Sequence, residues 1–121
     1  MGYYTAYGIS VDADHGFEHQ EDEFHNELKS VAEKWNYGDE IDELFEYGVY
    51  AKLYDLSGWI SELAPKYPHL LIQLSGDGEE SDDMWEERWK GVDHEIQKAV
   101  IPPFTNSNLL TEAERINRNI Q

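Results

Sequence analysis

Residues His15 to His19 form the pattern H-x-x-E-H, which in zinc peptidases places two imidazole ligands and a general-base glutamate side by side. That chemistry requires a helix, because only the helical repeat brings both imidazoles to one face. Gly16 follows the first histidine, and the segment lacks the apolar periodicity of a helix. We therefore expect a loop here, without a metal centre or peptidase activity.

A run of carboxylates after Gly76 supplies the oxygen ligands that calcium prefers. The run does not match an EF-hand, which needs acids at its first, third and fifth positions, glycine at the sixth and glutamate at the twelfth. Two interpretations stay open, a loose surface calcium site and a solvated acidic loop. The residues concerned are Asp77, Glu79, Glu80, Asp82 and Asp83.

The sequence has none of the short motifs that accompany nucleotide binding or serine hydrolysis: a P-loop, G-x-G-x-x-G and G-x-S-x-G are all absent. Cysteine is absent too, which excludes disulfides, thiolate ligands and a cysteine nucleophile. Carboxylates are abundant, but glycoside hydrolysis requires two of them at a defined separation in a cleft, which a sequence does not reveal. We expect a protein that is not an enzyme and that binds no cofactor or metal.

Net charge is the strongest signal in the composition. The 121 residues contain 26 acidic and 9 basic side chains, a formal net charge of −17, and most acids fall within residues 12–46 and 77–95. Direct binding to DNA, RNA or an anionic membrane calls for a basic face, so these ligands are excluded. A partner of this chain should be basic.

Three features favour a functional carboxylate field over a merely solvated surface. The charge far exceeds the magnitude of about 2 to 8 that solubility asks of a small domain. Glu23 and Glu27 lie one helical turn apart, where like charges repel. Aromatic residues also interleave with the acids, namely Tyr37, Phe45, Tyr47, Trp85 and Trp89.

Periodicity in the first half of the chain predicts the elements that would position these acids. An aromatic and β-branched run predicts a strand over residues 3–11. One apolar stripe predicts a helix with Phe24, Leu28, Val31 and Trp35 facing inward. Asp39 then caps a shorter helix that ends at Gly48, and residues 49–54 alternate as a strand does.

The second half predicts a helix that starts at Asp55 or Ser57 and stops near Pro65. Residues 69–74 form a central strand that the glycines at 76–78 break, and residues 84–89 and 95–101 form a hairpin. The order is β-α-(α)-β-α-β-β-β, an α+β fold of two layers with helices on one face of a mainly antiparallel sheet. We expect one domain over residues 1–103 and a polar tail over 104–121, in which a short helix can begin at Thr111.

Residues 56–91 carry a pattern that resembles the ferredoxin-like domain of small phage, prophage and plasmid proteins of unknown function. The resemblance implies a ferredoxin-related α+β fold and a mobile-element origin, and it transfers no catalytic residue. Proteins of this character are similar to phage inhibitors of host defence. The pattern consists of Trp59, Leu63, Lys66-Tyr67-Pro68, Leu70, Leu74, Ser75-Gly76, Gly78-Glu79-Glu80, Asp82 or Asp83, Trp85 and Gly91.

Duplex DNA carries about one negative charge per 1.7 Å of axis, and clefts that bind it meet that density with lysine and arginine. A rigid acidic protein can occupy such a cleft as a competitor. The resemblance to phage proteins implies a purpose for such competition, and on that basis we expect an anti-CRISPR or anti-restriction inhibitor that mimics nucleic acid and blocks a basic CRISPR effector or restriction nuclease in the host cytoplasm. The predicted contact residues are Glu40, Asp42, Glu43, Asp77, Glu79, Glu80, Asp82, Asp83, Trp85, Glu86 and Glu87.

Two other interpretations remain. The protein can be an acidic phage adaptor that binds a basic partner without any nucleic-acid role, or its charge can be an adaptation to a salty cytosol. Neither membrane contact nor secretion is expected, because no apolar stretch approaches the roughly 20 residues of a membrane span and the first residues lack a signal sequence.

Overall fold

The computed structural model describes residues 4–53, 55–78, 84–98, 106, 108, 111 and 112. Its elements follow the predicted order. They are strand β1 (Thr5–Ala13), helices α1 (His19–Glu33) and α2 (Gly38–Tyr47), strand β2 (Val49–Ala51), helix α3 (Leu56–Leu63), a 3₁₀ turn (Ala64–Lys66), and strands β3 (Leu70–Asp77), β4 (Met84–Lys90) and β5 (Asp93–Lys98).

The five strands form one sheet in the order β2-β1-β3-β4-β5, and every neighbouring pair is antiparallel. Strand β3 occupies the centre, as its apolar sequence predicts. The helices cover one face of the sheet, so the predicted two-layer α+β fold is confirmed.

The core lies between the sheet and the helices, because alternate residues of each strand point toward the helical layer. A fully buried leucine or isoleucine contributes about 1.5–3 kcal/mol relative to its exposed state, so these contacts dominate the stability. The most deeply buried side chains are Phe24 and Leu28 of α1, Ile41 and Leu44 of α2, Leu53 in the segment before α3, Leu56 and Ile60 of α3, Leu70, Ile72 and Leu74 of β3, and Trp89 of β4.

The end of α1 differs from the prediction. Trp35 is 62% exposed, and Ala32 takes the buried position instead. Helix α1 ends at Glu33, and Asn36 adopts a left-handed backbone with φ of 65°. The amides of Trp35 and Tyr37 both donate to the carbonyl of Ala32, which turns the chain before the tryptophan can face the core.

The start of α2 also differs, because Tyr37 rather than Asp39 occupies the N-cap and no side chain caps the helix. Asp39 lies within the first turn, where its charge interacts favourably with the helix dipole. The end is as predicted. Gly48 adopts φ of 90°, and a Cβ there would lie 2.8 Å from the carbonyl oxygen of Tyr7.

The predicted break at residues 76–78 is wrong, since β3 continues through Gly76 to Asp77. Glycine is required at 76 for packing, because a Cβ there would overlap the indole of Trp85 on the neighbouring strand. The predicted loop at 79–83, the hairpin end beyond Lys98 and most of the tail lie outside the described residues. Within the tail, the described residues are all exposed; they are Asn106, Asn108, Thr111 and Glu112.

Candidate functional site

The outer surface of α1 and α2 is acidic. The apolar residues of both helices lie on the inner surface, and many of the remaining positions are aspartate or glutamate. Both helices pack their buried stripes on the sheet, so the remaining positions of each turn face outward. We call these outward carboxylates the acidic helix layer. They are Glu21, Asp22, Glu23, Glu27 and Glu33 of α1, and Asp39, Glu40, Asp42, Glu43 and Glu46 of α2.

Asp42 joins the two helices. Its carboxylate accepts a hydrogen bond from the Lys29 ammonium at 2.6 Å and lies 3.0 Å from His25 Nε2. The Lys29 hydrogen bond, assisted by His25, holds the pKa of Asp42 below its ordinary value, and Asp42 raises the pKa of Lys29. The charge of this predicted contact residue is therefore compensated within the molecule.

Glu27 joins α1 to the segment before β3. It accepts a hydrogen bond from the Tyr67 hydroxyl at 2.6 Å, and Lys66 lies 3.4 Å from its other oxygen. The Tyr67 hydrogen bond is the main reason that the pKa of Glu27 is lowered. Burial, followed by the bond to Glu27, raises the pKa of Tyr67.

Other carboxylates of the layer stay available to a partner. Asp22, Glu23, Asp39 and Glu43 are exposed, and no basic side chain among the described residues lies within 4.0 Å of their oxygens. Glu40 is half-buried, and its Oε2 has no hydrogen-bond partner in the described part of the chain. The layer thus contains both internally paired and uncompensated negative charges.

The opposite side of the sheet is an open face, the surface that no described helix covers. A groove of about 420 Å³ lies on it, at the end of the sheet where β3 finishes and β4 begins. Its lining includes Asp77 and Glu86, two of the predicted contact residues, together with Ala6 and Met84. Trp85, a third predicted contact residue, borders the groove, but its indole faces the helices and packs against the core.

The groove contains both signs of charge. Glu86 is ion-paired with Arg88 at 3.0 Å, and Lys98 also contributes to the lining. Asp77 is exposed, and no cation among the described residues pairs with it. Within the described part of the chain, Asp77 is thus an anion of the groove without an ion-pair partner.

Glu87 requires a correction, because the sequence predicts it at the partner surface and the structure buries it. Only 4% of the residue is exposed. Its carboxylate accepts hydrogen bonds from Ser57 Oγ at 2.7 Å and from the Trp85 indole at 3.2 Å, and His94 Nε2 lies 2.8 Å away. Glu87 is held inside the fold and does not reach a partner.

Strand alternation explains this outcome and could have revealed it. Residues 85, 87 and 89 face the helices, whereas 86, 88 and 90 face the open side. A carboxylate between two tryptophans of the same face is therefore an inward carboxylate. Its partner His94 stacks on Trp89 at 4.8 Å, and sequence reasoning missed it because nothing local links it to Glu87.

The predicted contact residues do not form one surface. Glu40, Asp42 and Glu43 belong to the helix layer, whereas Asp77 and Glu86 lie on the open face behind it. Glu79, Glu80, Asp82 and Asp83 lie outside the described residues. Two separate surfaces therefore present acids to solvent.

The H-x-x-E-H segment adopts the predicted loop. Gly16 has φ of 91° and its amide donates to Glu18 at 3.0 Å, so His15 precedes the helix that His19 begins. The two imidazoles therefore do not share a helix face. Within the described residues, no group of three histidine, aspartate or glutamate side chains has an arrangement that could hold a metal ion.

None of the helices in the described part of the chain is long and apolar enough to cross a membrane. Comparison with known proteins gave no match to a family model, a curated protein or a solved structure.

Proposed function

We propose that the protein binds a basic nucleic-acid-binding protein through its acidic helix layer and occupies the cleft that nucleic acid would fill. The observation that carries this proposal is a set of exposed carboxylates on two packed helices that have no basic partner among the described residues, represented by Asp22, Glu23, Asp39 and Glu43. A net charge of −17 favours association with a basic surface and disfavours binding of nucleic acid itself.

The spacing of these charges suits a basic cleft. Asp39 and Glu43 are one turn apart on α2, and side chains at that separation lie about 5–6 Å from each other. Successive phosphates on one DNA strand rise by about 3.4 Å, so the two anionic arrays have spacings of the same order. Lysine and arginine side chains are long enough to adjust to the difference.

The layer is rigid, which supports mimicry over a loose electrostatic contact. His25 of α1 stacks on Phe45 of α2 at 4.0 Å with nearly parallel rings, and the same histidine contacts Asp42. Side chains fixed before binding lose less conformational entropy when a complex forms. The paired acids of the layer thus hold the two helices together, and this fixes the positions of the uncompensated acids.

The biological target that we propose is a restriction or CRISPR nuclease in the cytoplasm of a phage-infected host. This choice depends on the resemblance of residues 56–91 to phage proteins. The proposed mechanism is direct competition: carboxylates pair with the arginines and lysines of the cleft, and nucleic acid is excluded from it. No chemical step is involved.

A pull-down from host lysate at low salt tests the proposal, with duplex DNA used to elute the bound proteins. The expected result is recovery of a nucleic-acid-binding protein that DNA displaces. Recovery of no such protein would end the proposal. A stable ternary complex with DNA would instead show an acidic adaptor that binds its partner away from the nucleic-acid site.

A further inference from the structure

Two exposed tyrosines form an aromatic pair at the β2 edge of the sheet. The rings of Tyr4 and Tyr50 stack with centroids 5.1 Å apart and an interplanar angle of 15°. Tyr50 is 63% exposed and Tyr4 is 40% exposed. The two rings lie outside the core and form an aromatic surface at this edge of the sheet.

The same pair already contacts a cation. The ammonium of Lys52 lies 4.6 Å from the centroid of the Tyr4 ring, within the range of a cation–π interaction. This intramolecular contact shows that the edge attracts a positively charged side chain. It is an observation independent of the acidic groups nearby.

The strand register connects the tyrosines to the groove on the open face. Tyr50 pairs with Ala6, Ala6 pairs with Asp77, and Asp77 pairs with Met84, so these four residues form one row across four strands. Neighbouring strands are about 4.8 Å apart, which makes the row about 14 Å long. Ala6, Asp77 and Met84 also line the groove, and Tyr50 lies beside it.

The row therefore has a ring at one end, an uncompensated carboxylate in its middle and a thioether at the other end. Ala6 between the ring and the carboxylate is small, which leaves space above the sheet for a side chain. An extended peptide advances about 3.3 Å per residue, so about four or five residues would cross the row.

We propose that this row, which we call the open-face row, binds an extended arginine-bearing segment of a protein partner. One guanidinium stacks on Tyr50, and another pairs with Asp77 beside the Glu86–Arg88 ion pair. Arginine suits the row better than lysine because its planar group both stacks on aromatic rings and binds carboxylates in a bidentate manner. A second copy of this chain is disfavoured as the occupant, since its charge of −17 would oppose contact.

This inference deepens the proposed function, because both require a basic partner. It assigns a second contact on the side of the molecule opposite the helix layer. A nuclease cleft would engage the layer, and a flexible basic segment of the same partner would reach the row.

A fluorescein-labelled hexa-arginine peptide tests the row, titrated into the full chain at about 0.15 M salt, where general attraction is screened beyond about 8 Å. The backbone amide shifts of the protein, recorded by NMR, should change at residues 6, 50, 77 and 84 and not along α1 and α2. Tyr50→Ala and Asp77→Asn should each raise Kd about two- to fivefold. A hexa-lysine peptide should bind more weakly than hexa-arginine.

Two variants with the same chemical changes elsewhere are the controls. Tyr47→Ala removes an exposed tyrosine of α2, and Asp93→Asn removes an exposed charge of β5 at the end of the sheet away from the row. Both should leave Kd unchanged. The inference is overturned if the controls weaken binding as much as the row variants do, or if the amide shifts fall on α1 and α2. In the second case the helix layer would remain the binding surface and the proposed function would survive.

Discussion

Glu87 is an acidic residue that the fold buries. A buried carboxylate is costly unless hydrogen bonds replace its lost hydration. Ser57, Trp85 and His94 supply that replacement, and together they connect α3, β4 and β5. Glu87 therefore stabilises the fold, and it should not be counted among the negative charges on the protein surface.

Replacement of Glu87 by alanine should destabilise the protein by about 2–3 kcal/mol, because Ser57 Oγ and the Trp85 indole lose their acceptor and a space remains in the interior. Urea denaturation measures the loss. Glu86→Ala is the matched control, since this neighbouring acid faces the open side, where it forms an ion pair with Arg88. It should cost less than about 1 kcal/mol. Equal losses for the two variants would contradict the burial of Glu87.

At the scale of elements, close contacts between strands and ties between helices determine the geometry of both surfaces. Gly76 of β3 allows the Trp85 indole to lie across the strand, and Trp85 in turn meets the ring of Tyr7 edge-on at a centroid distance of 6.1 Å. This contact lies on the helix-facing side of the sheet, behind the groove. A side chain at position 76 would push the indole away.

Gly76→Ala should therefore cost about 1–3 kcal/mol, as overpacking in a tight contact does. Gly58→Ala is the matched control, because no atom lies within 4 Å of the position its Cβ would take on α3. That variant should gain up to about 1 kcal/mol from higher helix propensity. Thermal melting followed by tryptophan fluorescence distinguishes them, and a stabilising effect of Gly76→Ala would refute the packing argument.

Three carboxylates form hydrogen bonds between different elements of the fold, and these bonds make the stability depend on pH. Asp14 binds Lys90 and His69, Glu27 binds Tyr67, and Asp42 binds Lys29. In each case the pKa of the carboxyl group is lowered below the ordinary 3.8 of aspartate or 4.5 of glutamate, chiefly by these hydrogen bonds. A depressed pKa stabilises the fold above the unfolded value, and that contribution disappears as the pH falls through the folded value.

The triple variant Asp14→Asn, Glu27→Gln, Asp42→Asn lacks this contribution. As the pH falls from about 5 to about 3, its free energy of unfolding should therefore decrease less than that of the wild type. The control carries Asp22→Asn, Glu23→Gln and Asp39→Asn, which change the same number of charges at exposed positions without ion pairs. It should keep the acid dependence of the wild type. Urea midpoints measured across this range provide the comparison, and parallel curves for the triple variant and wild type would be the contrary result.

The sequence predicts the elements well because their signals are local. Apolar periodicity locates α1, α2 and α3, alternation locates β2, and the hairpin pattern locates β4, each within a few residues. The position of Trp35 and the continuation of β3 through Gly76 were not predictable, since the first depends on a backbone turn and the second on the Trp85 ring of another strand. Of the site, the acidic character of α2 was predictable. The separation of its acids from Asp77, and the burial of Glu87, depend on tertiary packing.

For the whole molecule, negative charge is distributed over two opposite surfaces of a rigid two-layer fold. The repulsion among these charges opposes folding, and the apolar core and the internal ion pairs offset it. A fold that needed only solubility would work with much less charge. We therefore propose that the exposed acids of the helix layer are the surface that binds the partner.

Displacement of a labelled DNA duplex from the partner identified by pull-down tests this claim most directly, with fluorescence anisotropy as the readout. The wild type is compared with two variants that each lose four charges. The helix-layer variant carries Asp22→Asn, Glu23→Gln, Asp39→Asn and Glu43→Gln, and the matched variant carries Asp12→Asn, Asp55→Asn, Asp93→Asn and Glu95→Gln.

We expect the wild type and the matched variant to displace the duplex at similar protein concentrations. The helix-layer variant should need about a tenfold higher concentration, which is equivalent to a loss of about 1.4 kcal/mol in binding free energy. Equal displacement by the two variants would contradict this expectation, because charge in general, and not the helix layer, would then account for the binding.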